Sequence, residues 1–323
     1  MANYLVTGSA GFIGAKVAEM LLEQGHQVVG IDNLNDYYDV RLKHHRLQGL
    51  ETQPAFLFHQ LDIESQSGLD NLFKTHSFDA VLNLAARAGV RQSMVDPYVY
   101  MSTNAMGTLN ILESMRRSGV RKMVLASTSS LYAGLPVPFS EDLPVNTPIS
   151  PYAASKKAAE MMAYTYHALY DLDISITRYF TVFGPLGRPD MAIMRFIKWI
   201  SEGTPIELFG DGSQSRDFTY VDDIASGTIA ALRRVGFEIF NLGGGNNPIS
   251  MKQIINWIEE DLGKSSILDI KPFHKADMLS TWADISKASE ILSWTPGTSP
   301  REGIRKCVEY YLANKNFFAK VTL

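Results

Sequence analysis

The sequence predicts a doubly wound α/β fold, in which helices cover both faces of a parallel sheet. Short runs rich in β-branched residues alternate with longer segments whose apolar residues repeat at helical spacing. The short runs are almost continuously apolar, which is typical of parallel strands that are buried on both faces. Strands that alternate with helices form right-handed βαβ units, and these units build one doubly wound sheet.

The predicted elements divide the chain unevenly. Strands are predicted at Tyr4–Thr7, Gln27–Asp32, Ala55–Leu61, Ala80–Ala85, Lys122–Ser127, Ile174–Phe180 and Phe237–Leu242. Helices are predicted at Ala15–Gln24, Asn104–Ser118, Tyr152–Tyr170, Ala192–Glu202 and Met251–Asp261, the last capped by Ser250. Glycine and proline become frequent after Thr181, but no linker composition follows. We therefore expect two interleaved domains: a larger one over 1–180 plus about 218–243, and a smaller α/β domain over 181–217 and 244–323.

Composition excludes several classes of protein. The chain has 323 residues, of which 46% are hydrophobic and 20% charged, as in a globular protein and unlike a disordered or fibrous one. A net charge of −4 offers no basic excess, so nucleic acid is not an expected partner. No apolar run reaches the ~18 residues of a membrane span and no signal peptide is evident, so we expect a cytoplasmic protein without a membrane partner. The histidines lack metal-ligand spacing, so no metal is expected.

A glycine-rich turn, TGSAGFIG at 7–14, joins the first strand to the first helix. Its three glycines allow a tight turn, close approach of backbone to a pyrophosphate, and packing of the helix on the sheet. The helix N-terminus adds unpaired N–H groups and a favourable dipole. Alone, the motif fits a turn without a ligand equally well. Asp32 ends the second strand, where a carboxylate reaches ribose hydroxyls and repels a 2′-phosphate, so a Rossmann-type site for NAD is favoured.

Two further segments indicate proton chemistry. Tyr152 and Lys156 are four residues apart at the start of a predicted helix, so their side chains share one helical face. The ammonium and a positively charged nicotinamide would lower the pKa of the phenol from about 10 toward neutrality, so that Tyr152 could exchange a proton with a sugar hydroxyl. Four hydroxyl residues at 127–130 follow the fifth strand, at the edge where open sheets bind ligands. An ordinary amphipathic helix and a self-satisfied Ser/Thr turn are the alternatives.

Together these motifs resemble the extended short-chain dehydrogenase/reductase family of sugar-nucleotide enzymes, over nearly the whole chain. The segments that carry the resemblance are TGSAGFIG, NLAARAGV, YAASK, RYFTVFGP, GDGSQSRDFTYVDD and TWADISKA. Within the family, GIDNLNDYYDVRLK, STSSLY and GPLGRPDMA most resemble the UDP-glucuronate 4-epimerases. The resemblance implies that Tyr152 removes the proton of the sugar 4-hydroxyl while NAD takes the hydride and later returns it. It also implies that Lys156 holds the ribose and that Thr128 hydrogen-bonds the 4-oxygen.

One position separates reaction types within the family. Related 4,6-dehydratases and UDP-glucuronate decarboxylases usually carry an acidic residue where this sequence has Ser130. A serine is a poor acid or base for carbons 5 and 6, so the resemblance favours an epimerase of UDP-glucuronate. The alternatives are the same chemistry on UDP-glucose or a UDP-N-acetylhexosamine, decarboxylation of UDP-glucuronate, and a non-catalytic NAD-binding protein.

The resemblance also implies contact residues for both ligands. Those for NAD are Gly8, Gly11, Phe12, Ile13, Gly14, Asp32, Asn33, Asn35, Asp62, Ile63, Ala85, Ala86, Asn104, Tyr152, Lys156 and Tyr179. Those for the UDP-sugar are Arg87, Thr128, Ser129, Ser130, Thr181, Arg188, Phe209, Gln214, Arg216 and Asp277. NAD is thereby assigned to the larger domain and the nucleotide sugar to the smaller one. Relatives pair the helices that correspond to Pro97–Ser118 and Tyr152–Tyr170 into a four-helix bundle, so a homodimer is expected. Departures at Arg87 and His274-Lys275-Ala276 leave the sugar preference open.

Overall fold

The structure, a computed structural model, describes residues 1–245, 248–273 and 278–323. Its strands are β1 (Asn3–Thr7), β2 (Gln27–Asp32), β3 (Phe56–Gln60), β4 (Ala80–Asn83), β5 (Lys122–Thr128), β6 (Asp173–Tyr179), β7 (Thr181–Phe183), β8 (Ile206–Phe209), β9 (Ser215–Arg216), β10 (Phe218–Tyr220), β11 (Phe237–Leu242), β12 (Ile249–Ser250) and β13 (Leu268–Lys271). Its helices are α1 (Phe12–Glu23), α2 (Val40–Glu51), α3 (Gln66–Thr75), α4 (Val90–Ser93), α5 (Pro97–Tyr100), α6 (Gly107–Ser118), α7 (Pro151–Tyr170), α8 (Ala192–Glu202), α9 (Val221–Ala230), α10 (Met251–Leu262), α11 (Ser286–Leu292), α12 (Pro300–Ala313) and α13 (Lys315–Phe318). A π-helical turn, Met101–Met106, leads into α6, and a 3₁₀ turn, Ser129–Tyr132, follows β5.

Seven strands form one sheet in the order β11-β6-β5-β4-β1-β2-β3. Every neighbouring pair in this sheet is parallel. The predicted doubly wound parallel sheet is therefore confirmed. The strand order reverses between β1 and β4, and open α/β sheets bind ligands at the carboxyl ends of strands beside such a reversal.

Beyond β6 the chain builds smaller sheets. β7 pairs in parallel with β10 and β8 with β13, while β9 pairs antiparallel with β12. Apolar side chains of α8, α10 and α12 form the core of this part, with Ile197, Ile254 and Ile304 almost fully buried. β11 then returns to the large sheet and pairs along its length with β6. Across the described ranges, no helix has the length and apolar character needed to cross a membrane.

Two element boundaries differ from the prediction for local reasons. β4 ends at Asn83, two residues earlier than predicted, because the N–H groups of Leu84 and Ala85 donate to Thr7 Oγ1 at 3.1 and 3.0 Å. These bonds turn the backbone away from the strand ladder. The helix predicted from Asn104 is instead preceded by α5 and the π turn, so that Asn104 lies within the turn.

A buried ion pair fastens α7 to the sheet. Arg178 of β6 donates from Nε and Nη2 to the two carboxylate oxygens of Glu160, at 2.9 and 2.8 Å, and both side chains are at most 2% exposed. Ser127 of β5 donates to the same carboxylate at 2.6 Å. Arg178 Nη1 also donates to the Tyr132 hydroxyl at 2.8 Å, and Tyr132 donates in turn to Asn241 of β11. The network therefore joins α7, three strands and the 3₁₀ turn.

We expect Glu160→Gln to lower the free energy of unfolding by about 3–5 kcal/mol, because it leaves the Arg178 cation buried without its counter-charge. Urea denaturation followed by circular dichroism measures the change. The matched control is Glu309→Gln, which removes an exposed partner of Arg305 at 3.0 Å and should change stability by less than about 1 kcal/mol. Equal losses in the two variants would contradict a central role for the buried pair.

Candidate active site

The glycine-rich turn after β1 brings backbone against backbone. Gly8 has a φ of +69°, and a Cβ at this position would lie 2.9 Å from Ala85 Cα. A Cβ at Gly14 would lie 2.1 Å from the Gly8 carbonyl oxygen. Gly11 precedes α1, and no described side chain caps this helix, whose first residues are Phe12 and Ile13. The turn thus has the shape and the exposed helix N-terminus that suit a pyrophosphate, and it fits NAD.

One cavity beside this turn groups most of the predicted cofactor contacts. Its lining includes Gly8, Gly11, Asp32, Asn33, Asn35, Asp62, Ile63, Ala85 and Ala86. Arg87, which was predicted on the substrate side, lines the same cavity. Asp32 ends β2 as predicted and is 8% exposed. Asp62 accepts a hydrogen bond from Asn33 Nδ2 at 2.7 Å, which joins the ends of β2 and β3.

The side chains of two predicted cofactor contacts, Asn104 and Tyr179, make hydrogen bonds within the protein. The Asn104 amide exchanges hydrogen bonds with the backbone of Arg87, at 2.8 and 2.9 Å, and donates to Ser155 Oγ at 2.9 Å. It therefore fastens the segment after β4 to α7. Tyr179 is buried, and its hydroxyl lies 2.9 Å from Thr228 Oγ1 of α9. Burial raises the pKa of Tyr179 to about 12.

The three predicted catalytic side chains meet at the carboxyl end of β5. Thr128 is the last residue of β5, and its side chain lies close enough to Tyr152 to lower the pKa of the phenol. Ser150 caps α7 by accepting from the Ala153 N–H at 3.2 Å, which sets Tyr152 in the first turn. Lys156, one turn further on, donates from Nζ to the Ala126 carbonyl at 2.9 Å. The spacing of four residues thus directs both side chains of the pair to β5.

Burial dominates the proton equilibria of this pair. It raises the pKa of Tyr152, against the hydrogen bond with Thr128 and the positive charge of Arg188, which lower it. Within the chain, the raising effect of burial exceeds these lowering effects, whereas the predicted fall of the pKa also depends on a positively charged nicotinamide. Burial also lowers the pKa of Lys156 to about 8, and the nearby carboxylate of Glu160 opposes this. Burial disfavours both the Lys156 ammonium and the Tyr152 phenolate. Each charge is therefore stabilised most when the opposite charge is present beside it.

The predicted substrate contacts form two groups. Ser129 and Ser130 follow Thr128 in the 3₁₀ turn, where the Ser130 N–H donates to Thr128 Oγ1 at 3.1 Å. Arg188 makes a two-point ion pair with Asp190 and lies near Tyr37. Arg188 lies close enough to Tyr152 for its charge to lower the pKa of the phenol.

The second group lies on the small sheets. Phe209 ends β8, and the guanidinium carbon of Arg91 lies 4.2 Å from its ring centroid. Gln214 Nε2 donates to the Phe209 carbonyl at 2.6 Å, and Arg216 Nη1 donates to the Ser215 carbonyl at 2.8 Å. Thr181 begins β7 and pairs with Phe218. Asp277 and the departures at 274–276 lie outside the described residues.

Sequence reasoning missed several residues of the site. Tyr37, Tyr38, Lys43 and Thr103 line the cofactor cavity, and Lys43 Nζ lies 3.5 Å from Asp32 Oδ1. Three of these four fall in the segment GIDNLNDYYDVRLK, which was singled out for its resemblance and not for any role of its own. Arg91 was missed because the four-residue helix α4 that aims it at Phe209 has no detectable periodicity.

Known proteins are similar to this chain over nearly its whole length. The chain is 58% identical over 314 residues to a UDP-glucuronate 4-epimerase of Thermodesulfobacterium geofontis (strain OPF15), covering 97% of each chain. It is similar to the crystal structure of UDP-glucuronic acid 4-epimerase from Bacillus cereus in complex with UDP-glucuronic acid and NAD, with 39% identity, a TM-score of 0.90, and coverage of 96% of this chain and 99% of that one. It is also similar to a UDP-glucose 4-epimerase from Thermotoga maritima with UDP-glucose, with 31% identity, a TM-score of 0.86, and coverage of 97% and 99%. Residues 4–243 match the model of the NAD dependent epimerase/dehydratase family, and the chain belongs to that family.

Proposed function

We propose that this protein is an NAD-dependent epimerase that interconverts UDP-glucuronate and UDP-galacturonate by inverting carbon 4 of the sugar. The observation that carries the proposal is the grouping of Thr128, Tyr152 and Lys156 at the carboxyl end of β5, beside a glycine-rich turn that fits NAD. The similar proteins from T. geofontis and B. cereus are UDP-glucuronate 4-epimerases, which supports the choice of reaction.

The proton of the reaction moves through Tyr152. As a phenolate, Tyr152 Oη takes the proton of the sugar 4-hydroxyl, and it returns this proton to the 4-oxygen when the sugar is reduced on its other face. Bound NAD supplies reversible hydride acceptance at carbon 4. Thr128 donates to the 4-oxygen, and the Lys156 ammonium stabilises the phenolate. Proton and hydride both return to the sugar, so the reaction consumes neither.

A uronate is favoured over a neutral hexose by the polar groups near the catalytic pair. Ser129 and Ser130 are neutral donors that can hold a carboxylate without acting as an acid or base at carbons 5 and 6. The guanidinium groups of Arg87 and Arg188 both lie against the ring of Tyr37. Action on UDP-glucose or a UDP-N-acetylhexosamine would leave Arg87 without an anionic sugar group, while Arg188 is already paired with Asp190. Decarboxylation or dehydration lacks the acid that Ser130 replaces.

The other contacts are assigned in the same way. NAD is proposed to bind in the cavity lined by Asp32, Asn33, Asn35, Asp62 and Ile63, with its pyrophosphate at the glycine-rich turn. The uridine is proposed to bind beside Phe209, Gln214 and Arg216. The division into a cofactor domain at 1–180 plus about 218–243 and a nucleotide-sugar domain is supported by the return of β11 to the large sheet.

We expect purified protein with UDP-glucuronate to form UDP-galacturonate, and Tyr152→Phe to lower kcat at least about 100-fold because the proton acceptor is gone. Liquid chromatography of the nucleotide sugars measures both results. Tyr164→Phe, at a half-exposed position on the same helix, is the matched control and should keep full activity. UDP-xylose as the product, or full activity in Tyr152→Phe, would contradict the proposal.

The pH profile should report Lys156. Because burial favours the neutral amine, the Lys156 ammonium is lost as the pH rises through about 8, and the phenolate of Tyr152 then loses its stabilising cation. We expect kcat to fall above about pH 8 while the protein stays folded by circular dichroism. Lys157→Met, which changes the next residue, should leave this alkaline limb in place. A kcat that stays constant up to about pH 10 would contradict the role assigned to Lys156.

A homodimer through a four-helix bundle is a further part of the proposal. The helices at 97–118 and 151–170 expose apolar side chains that include Tyr98, Met106, Met161, Tyr164 and Leu169, each at least half exposed. Exposed apolar patches of this kind are typical of protein interfaces. The resemblance to dimeric relatives names the same helices, so a second copy of the chain is the proposed occupant.

We expect analytical ultracentrifugation to give twice the chain mass of 35.9 kDa. Met106→Glu combined with Met161→Glu should give a monomer, because the dimer interface would then bury unpaired carboxylates. Leu312→Glu, at an exposed apolar position on α12, is the control and should remain dimeric. A wild-type monomer would contradict this part of the proposal and leave the chemistry untouched.

A further inference from the structure

The loop between β2 and α2 carries a tyrosine to which the mechanism above gives no role. Tyr37 lies against two arginines that are proposed to meet the substrate. The guanidinium carbon of Arg87 lies 5.0 Å from its ring centroid, and that of Arg188 lies 5.5 Å away. Both distances are within the ~6 Å range of cation–π attraction. The two arginines follow different strands, β4 and β7, so one aromatic ring sets the position of two cations that repel each other.

The loop holds Tyr37 by a ladder of side-chain acceptors. Asp32, Asn33 and Asn35 each accept the N–H of the residue two positions ahead, at 2.8, 3.1 and 3.2 Å, as in Asx turns. The last of these N–H groups belongs to Tyr37. Asn35 Oδ1 also lies 3.3 Å from Arg87 Nη1. The position of Tyr37 is therefore fixed from the end of β2, where Asp32 is proposed to bind the ribose of NAD.

Tyr37 also reaches toward the catalytic pair. Its hydroxyl lies 3.4 Å from that of Tyr100, and the Tyr100 ring packs edge-on against the Tyr152 ring, with centroids 6.1 Å apart. Gly89 has a φ of +125°, and a Cβ there would lie 2.5 Å from the Tyr37 hydroxyl. Glycine at position 89 thus leaves room for the Tyr37 hydroxyl, and any larger residue would fill that space.

The location of this group selects one end of the substrate. Arg188 and Tyr37 both lie close enough to Tyr152 to act on it electrostatically. Tyr152 acts at carbon 4, whose neighbour, carbon 5, bears the carboxylate of a uronate. The diphosphate is attached to carbon 1, across the sugar ring. Arg188 therefore lies nearer the carboxylate end than the diphosphate end, and Tyr37 holds Arg87 on its ring beside it.

We propose that Tyr37 is a positioning residue that holds Arg87 and Arg188 toward the sugar carboxylate and so sets the preference for a uronate over a neutral hexose. The inference rests on the proposed function. Tyr37 acts through the two arginines and does not touch the reacting atoms. Its ring, more than its hydroxyl, carries the effect, because the guanidinium groups lie over the face of the ring.

The test compares two nucleotide sugars in the NAD-loaded enzyme. We expect Tyr37→Leu to raise the KM for UDP-glucuronate about tenfold, a loss in the range of one desolvated cation–π contact, with kcat changed less than about twofold. The dissociation constant of UDP-glucose, measured by calorimetry, should change less than about twofold. Tyr37→Phe keeps the ring and should keep the wild-type KM. Tyr37→Met, which keeps bulk without a ring, should repeat the selective loss if Tyr37→Leu folds poorly.

Tyr170→Leu is the matched control, because it removes an aromatic ring that lies 5.3 Å from the guanidinium of Arg116, outside the site. It should leave both affinities unchanged. Equal weakening of the two sugars, unchanged values in both ring-free variants, or a loss in Tyr37→Phe as large as in Tyr37→Leu would overturn the role of Tyr37. Failure of the wild-type protein to convert UDP-glucuronate would instead overturn the proposed function itself.

Discussion

The buried pairing of Glu160 with Arg178 is the interaction on which the arrangement of the site depends. A guanidinium fork and a carboxylate match in one relative position only, so the pair fixes how far α7 slides along the sheet. Tyr152 and Lys156 lie on the preceding turns of the same helix. Ser127, which donates to Glu160, is followed directly by Thr128. The buried polar network around Glu160 therefore fixes the positions of the side chains that are proposed to transfer the proton.

A second constraint is electrostatic and local. The chain has a net charge of −4, yet its proposed ligands are a dinucleotide and an anionic sugar nucleotide. Individual cations offset the net negative charge locally: Lys43 lies beside Asp32, and Arg87 and Arg188 lie beside Tyr37. Lys43 comes from α2, and the two arginines come from the segments that follow β4 and β7. Overall charge thus excludes long polyanions but says little about a small anion that is bound by a few oriented groups.

The sequence was informative where a physical requirement is local. The large sheet and the helices Ala192–Glu202 and Tyr152–Tyr170 were predictable because apolar periodicity survives in a short window. The positions of Gly8 and Gly14 were predictable because close backbone approach needs glycine. Contacts between distant segments left no such signal. The hydroxyl of Thr7, in β1, accepts the hydrogen bonds that end β4, and no local pattern reveals this contact. The π turn that orients the Asn104 amide also has no recognisable sequence pattern.

The missed residues Tyr37 and Arg91 belong to the same class. Each acts across a gap in sequence of tens of residues or more, and only the folded chain brings its partners within reach. The raising effect of burial on the Tyr152 pKa was hidden for a related reason: the charge of a nearby lysine is visible in the sequence, but the degree of burial is not.

The return of β11 to the large sheet has a consequence for how the chain is made. β6 keeps one open edge until β11, which ends at residue 242, has left the ribosome. Likewise β7, β8 and β9 wait for β10, β13 and β12, which follow them in synthesis. An amino-terminal fragment that stops near residue 180 would therefore present an unpaired strand edge to other nascent chains. The late pairing of these strands makes folding during translation incomplete until most of the chain has emerged.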